Sequence, residues 1–351
     1  MLTGATLVLV CGFLIGLAYG VIGLLSGFCL LTSLRNWWND GDSRRIRSYA
    51  LAMATAMVTA QALAAAGLVD LGTSIYLQPS FSVPLMFAGG LIFGYGMVLA
   101  NGCGSRATVL LGRGNLRSFV VVVTLGITAQ ATLRGLLAPP RVEFLQWSSI
   151  TPSANSLPAL LNAVGLGSGA GRAAAVILVA GALILFELSH PAFRQARGQL
   201  AAGLGMGLLI AAGWFTTGYI GADDFKPVPV TSLTFVAPLA DTVQYIMLST
   251  GLSLSFGVVT ITGVLLGSFL TAIATGRFSL EGYSSPRHML RSMSGAALMG
   301  IGGAMAFGCT IGQGLTGMST LAFASAVAFI GILFGTAAGL RGPLQVKPLS
   351  A

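Results

Sequence analysis

Apolar runs long enough to cross a bilayer, separated by short polar stretches, dominate this chain. A helical span needs about 20 apolar residues. Nine runs meet that length: 3–23, 48–69, 83–100, 118–137, 172–189, 199–217, 243–273, 290–306 and 319–340. The seventh is too long for an upright span and is expected to tilt or to begin outside the membrane. The pattern predicts an all-α polytopic membrane protein with these nine transmembrane helices and no separate soluble domain.

The loops fix an expected orientation. Take the loop after the first span as one face. That face collects Arg35, Arg44, Arg45, Arg47, Arg106, Arg113, Arg117, Arg194, Arg197, Arg277, Arg287, Arg291, Arg341 and Lys347, fourteen of the 18 Lys and Arg. Arg134, Arg141, Arg172 and Lys226 fall on the other face. Positive loops stay in the cytoplasm, so the N-terminus is expected outside and the C-terminus inside a bacterial inner membrane.

The two halves resemble each other. Residues 89–105, GGLIFGYGMVLANGCGS, align with 295–311, GAALMGIGGAMAFGCTI, at a shift of 206. The shift pairs Gly89 with Gly295, Gly94 with Gly300, Gly96 with Gly302, Ala100 with Ala306, Gly102 with Gly308 and Cys103 with Cys309. It also pairs Ser26 with Ser232 and Cys29 with Phe235. Upstream, residues 11–23 resemble 206–218 at a shift of 195. The expected division is a first repeat over 1–140, a connecting loop and linking helix over 141–198, and a second repeat over 199–351. Each repeat holds four spans, and the linking span turns the second one over. Inverted repeats are a carrier signature, with the substrate site at their interface.

Composition narrows the function. Charged residues are 8% and hydrophobic ones 55%, against about 25% charged in soluble domains. Glycine, 49 of 351 residues, suits closely packed and broken membrane helices. The net charge of +9 comes from loops, without the aromatic-basic groove of a nucleic-acid binder. No CxxC occurs and only His190 and His288 are present, which argues against zinc. No metal or cofactor is expected. The first residues lack the basic start of a cleaved signal peptide. Asp70, Glu143, Glu187 and Asp241 fall at span ends or in loops, unlike the buried carboxylates of proton and cation carriers. A nucleotide-binding GxxxxGK[ST] loop is absent. The chain reads as a carrier rather than an enzyme.

The candidate chemistry sits at two glycine-cysteine breaks. One is Asn101-Gly102-Cys103-Gly104-Ser105-Arg106, and the other is Phe307-Gly308-Cys309-Thr310-Ile311-Gly312-Gln313-Gly314. Each follows an apolar helix and precedes a short apolar piece, the pattern of a helix that stops and restarts inside the membrane. Such backbone survives only where it is buried or lines a cavity. The restarting N-terminus offers free N–H groups and partial positive charge, which favours an anion. Cys29, just past the first span, and its mate region 228–240 suggest a second re-entrant pair. Neutral thiols are weak, soft donors, and a pathway needs sites weak enough to release their guest. With a reference pKa near ~8.5 the thiols stay protonated at neutral pH. They suit an anion that itself exposes sulphur. Cys11, mid-span without glycine neighbours, reads as packing. Arg106 reads equally as an anion attractor or as a snorkelling loop charge. The candidate substrate-binding set is Cys29, Cys103, Cys309, Gly102, Gly104, Ser105, Arg106, Gly308, Thr310 and Gln313.

Three stretches, SGFCLLTSLRNW (26–37), GYGMVLANGCGSRATVLLGRGN (94–115) and GGAMAFGCTIGQGLTG (302–317), resemble the YeeE/YedE family of sulphur transport proteins. The likeness runs through nearly the whole chain. It implies about nine spans plus re-entrant half-helices and uptake of thiosulfate by way of three thiols, matching Cys29, Cys103 and Cys309. Many members carry Ser and His where this chain has Ile311 and Gln313, and an acidic residue near Arg113. A sensor that binds the anion without moving it, and a carrier of a selenium species, are the alternative functions. A cytoplasmic sulphur carrier or regulatory protein is a candidate partner, with the Arg-rich loop 35–47 as its docking place. The lipid bilayer is the expected surround, and no nucleic acid is expected.

Overall fold

A computed structural model describes residues 4–222, 228–342 and 344–346, so Lys226 and Lys347 lie outside the described residues. The described chain is helical from end to end, and no strand longer than an isolated bridge forms in it. The helices, in order, are α1 (Gly4–Ser26), α2 (Leu30–Asp40), α3 (Arg44–Ala65), α4 (Val83–Leu99), α5 (Gly104–Gly112), α6 (Leu116–Leu133), α7 (Ala138–Ser148), α8 (Leu157–Leu161), α9 (Ser168–Leu188), α10 (Pro191–Gln195), α11 (Arg197–Phe215), α12 (Val236–Met247), α13 (Phe256–Ala274), α14 (Pro286–Met305) and α15 (Phe323–Leu340).

Eight helical stretches are long and apolar enough to cross a membrane. The expected span at 290–306 is α14, which falls outside the eight; its first turns carry Arg287, His288 and Arg291. The chain is an all-α multi-pass membrane protein. One expectation changes. The seventh run, 243–273, is two helices, α12 and α13, parted by 248–255. Gly251 and three serines interrupt the apolar run there, and Ser255 caps α13 by accepting from the Val258 N–H at 3.4 Å.

Glycine sets the packing of the long helices. At the α4–α14 crossing, a Cβ on Gly96 would lie 2.6 Å from the Gly295 carbonyl oxygen, and one on Gly295 would lie 2.7 Å from that of Gly96. Backbone therefore meets backbone, as small residues allow in membranes. The helix pairs fall into matched sets. α1 packs on α13 as α11 packs on α3, and α4 packs on α15 as α14 packs on α6.

The short helices α2, α5 and α12 do not span. Each starts inside the bundle after a break. α1 ends on Gly27, in the left-handed region at φ 66°, and Cys29 then opens α2. α4 ends with Gly102 N–H donating back to Met97 at 3.0 Å and Asn101 at φ 58°. α14 ends the same way, with Gly308 N–H donating to Gly303 at 2.8 Å and Phe307 at φ 54°. Both are helix stops in which a left-handed residue lets the next N–H reach back one full turn.

Candidate functional site

The breaks meet in the middle of the bundle. Cys29 and Cys103 occupy the N-cap positions of α2 and α5, in extended backbone, with no side-chain capping bond. Phe235, the mate of Cys29, is the N-cap of α12. Cys309 precedes a wide helical turn, Gly312–Gly317. The thiols of Cys29 and Cys103 lie close to each other. Cys103 also lies near the Thr310 hydroxyl, without a well-formed bond to it, which brings it up to the second break. All three thiols are buried, at 4%, 1% and 1% exposure for Cys29, Cys103 and Cys309. The structure is thus closed around them. Cys11 is half-exposed along α1.

Free main-chain donors point at the sulphurs. Gly312 N–H donates to Cys309 Sγ at 3.3 Å. The N–H groups of Ile311 and Phe235 and the Thr234 hydroxyl lie in reach of the same sulphur. Helix starts leave such donors unsatisfied, so an approaching anion finds them uncommitted to carbonyls. Ser105 Oγ sits 3.2 Å from Cys103 Sγ.

Arg106 stands at the inner edge of this group, on the Arg-rich side. A Cβ on Gly27 would lie 3.9 Å from Arg45 Nη1 and 4.0 Å from Arg106 Nη1, so both guanidinium groups crowd the turn before Cys29. Arg106 also lines a cavity of about 210 Å³ with Gly102, Asn115, Arg117 and Glu281. On the opposite side a larger cavity, about 450 Å³, is lined by Gln61, Asn162, Arg172 and Thr320. Gln61 joins that cavity to the Cys309 break, its amide donating to the Ser319 carbonyl at 2.9 Å.

The other expected residues divide. Gly102 and Gly308 shape the helix stops. Gly104 packs beside Leu125, Leu239 and Phe235. Gln313 donates its amide to the Ala306 carbonyl at 2.6 Å, which ties down the end of α14. Its remaining oxygen is buried without a partner and is an acceptor, which offers an anion nothing.

Sequence reading missed the tyrosines. Tyr49 reaches from α3 to donate to the Thr310 carbonyl at 2.6 Å, its ring stacked between Phe28 and Phe329. Tyr19 packs on Phe235 at 5.0 Å and reaches Ser105. Tyr76 meets Trp214 edge-on at 6.2 Å. One signal was present: the shift of 195 pairs Tyr19 with Trp214, two buried rings at matching places in the halves.

A multi-pass bundle whose broken helices turn their starts and three thiols toward one closed centre is the build of a membrane carrier for a small anion. The family model described as sulphur transport matches residues 25–338, and the chain belongs to that family. Among similar proteins are the thiosulfate transporter TsuA of Escherichia coli (strain K12), 25% identical over 335 residues that cover 92% of this chain and 91% of that protein. The thiosulfate transporter TsuA of Spirochaeta thermophila is 25% identical over 336 residues, covering 92% and 96%.

Proposed function

We propose that this chain is a permease for thiosulfate, or a close relative exposing bare sulphur, and that the ion passes Cys309, Cys103 and Cys29 in turn. The observation that carries the reading is the meeting of helix-start N–H groups and three thiols at one buried centre. Thiols and amides hold a divalent anion loosely enough to release it, which a buried Arg pair would not. The names of the similar proteins supply the substrate class.

Two inverted repeats, 1–140 and 199–351 with 141–198 between them, account for the matched helix pairs and for the twin helix stops 206 residues apart. The membrane is the bacterial inner membrane, with the N-terminus outside and the Arg-rich face in the cytoplasm, in keeping with loop charge. The ion then enters by the cavity at Arg172 and leaves past Arg106 and Arg45. Arg106 acts as an attractor at the exit, Ser105 supports the Cys103 thiol, and the glycines keep the backbone open.

Uptake of labelled thiosulfate into membrane vesicles tests this. Vesicles with the intact protein accumulate label, Cys103→Ala abolishes accumulation, and Cys11→Ala retains it. Undiminished uptake by Cys103→Ala defeats the thiol route, and label that binds without accumulating makes the protein a sensor.

A further inference from the structure

Among the described residues, six buried side-chain polar atoms have no hydrogen-bond partner, and one of them, Tyr76 Oη, stands beside the turn that follows Cys309. A buried hydroxyl without a partner costs about 1–3 kcal/mol, so one beside this turn asks for a reason. Tyr76 comes from the loop after α3 and is 3% exposed. Its ring rests on Trp214, whose Nε1–H is fixed to Ser319 Oγ at 3.1 Å. Thr234 comes from the stretch before α12. Its hydroxyl reaches toward both Tyr76 and Cys309, yet closes no well-formed bond to Tyr76. A Cβ on Gly312 would press on Thr234 Oγ1 and lie 3.6 Å from Tyr76 Oη. The glycine therefore keeps a cradle open between these hydroxyls and its own N–H.

We propose that Tyr76 and Thr234 form an oxygen-binding subsite beside Cys309, which holds the oxyanion end of the substrate while the thiols take its bare sulphur. This rests on the reading of the thiols as a sulphur-anion route and adds the selectivity that thiols alone lack. A sulphur oxyanion has two chemically unlike ends. Hydroxyls and amides donate to the hard oxygens, and polarizable thiols meet the soft atom. The two hydroxyls come from the two halves of the chain, so the subsite forms only when the halves close together. Neutral donors also avoid the tight grip of an ion pair.

The test is equilibrium binding of labelled thiosulfate to purified protein, with unlabelled sulfate as competitor. One hydrogen bond to a charged group is worth about a factor of ten or more in affinity. Tyr76→Phe keeps the ring on Trp214 and should weaken thiosulfate about tenfold, with sulfate weakened in parallel. Thr234→Val should act in the same direction. Cys309→Ala should instead weaken thiosulfate alone, so that its preference over sulfate collapses. Tyr283→Phe, whose hydroxyl donates to the Arg117 carbonyl on the other side, serves as the unaffected control. Thiosulfate affinity within about twofold of wild type in both Tyr76→Phe and Thr234→Val overturns the subsite. Wild-type protein that binds thiosulfate but fails to accumulate it in vesicles removes the transport reading and leaves the subsite standing. Wild-type protein that binds neither anion overturns both.

Discussion

Single residues decide how the chain stops inside the membrane. Asn101 and Phe307 hold the left-handed backbone, at φ 58° and 54°, that lets Gly102 and Gly308 reach back. Asparagine adopts that conformation at little cost, whereas a Cβ-bearing residue without a short polar side chain, Phe307 included, holds it at a cost of about 1–2 kcal/mol. Asn101 also accepts from Arg35 Nη1 at 2.8 Å. Asn101→Ala should therefore lower the unfolding free energy in detergent by about 1 kcal/mol more than Asn101→Gly. Both lose the Arg35 bond, so the difference isolates the backbone. Equal melting of the two variants would show that this turn is not strained. At this scale the sequence announced Cys103 and Cys309, because a Gly-Cys pair twice in one frame is rare. It was silent on Tyr76, which lies far from every break in the chain, and it marked Thr234 only as part of the stretch 228–240; both reach Cys309 through the fold.

Elements carry the pairing of helix with helix. The runs of apolar residues located every long helix, since burial in lipid needs only length and hydrophobicity. They misjudged 243–273, because apolar content says nothing of direction; the polar interruption at 248–255 separates a half-helix from a full crossing. The short α2 matches α12 in place and nearly in length, but its apolar stripe is mixed with Arg35, Asn36 and Asp40, so it never reads as a span. Glycine content pointed to tight crossings without saying which glycines touch. The structure does say. Gly295 meets the Ala100 N–H and the Gly96 carbonyl, whereas Gly181 on α9 has nothing within 4 Å. Gly295→Val should cost at least about 1–3 kcal/mol, because backbone cannot yield as a side chain does. Gly181→Ala should gain up to about 1 kcal/mol from helix propensity. Thermal unfolding of the two purified variants checks both, and a stable Gly295→Val would mean that the crossing has room.

The whole molecule is a closed bundle with unlike ends. In the proposed orientation, argued from loop charge, the Arg-rich end faces the cytoplasm. Cysteine placed at Gly282, on that end, should react with a membrane-impermeant maleimide only after lysis. Cysteine placed at Ser153, on the other end, should react in intact cells. The reverse pattern would invert the proposed orientation. The site itself was legible only in outline. Two breaks could be read as partners from their spacing, but the contact between Cys103 and Thr310 is a product of the fold.

The mismatch between the ends has a last consequence. Shifted by 206, Arg106 falls on Gly312, so the Cys103 break carries a guanidinium three residues on and the Cys309 break carries a glycine in the matching place. Along the proposed route that charge would lengthen the dwell time of a negative ion at the arginine end, yet a static asymmetry performs no work. Without a coupled ion, net flow along that route would persist only while some reaction downstream keeps the free ion dilute there, and without such a sink the guanidinium end would simply fill and stall the queue behind it.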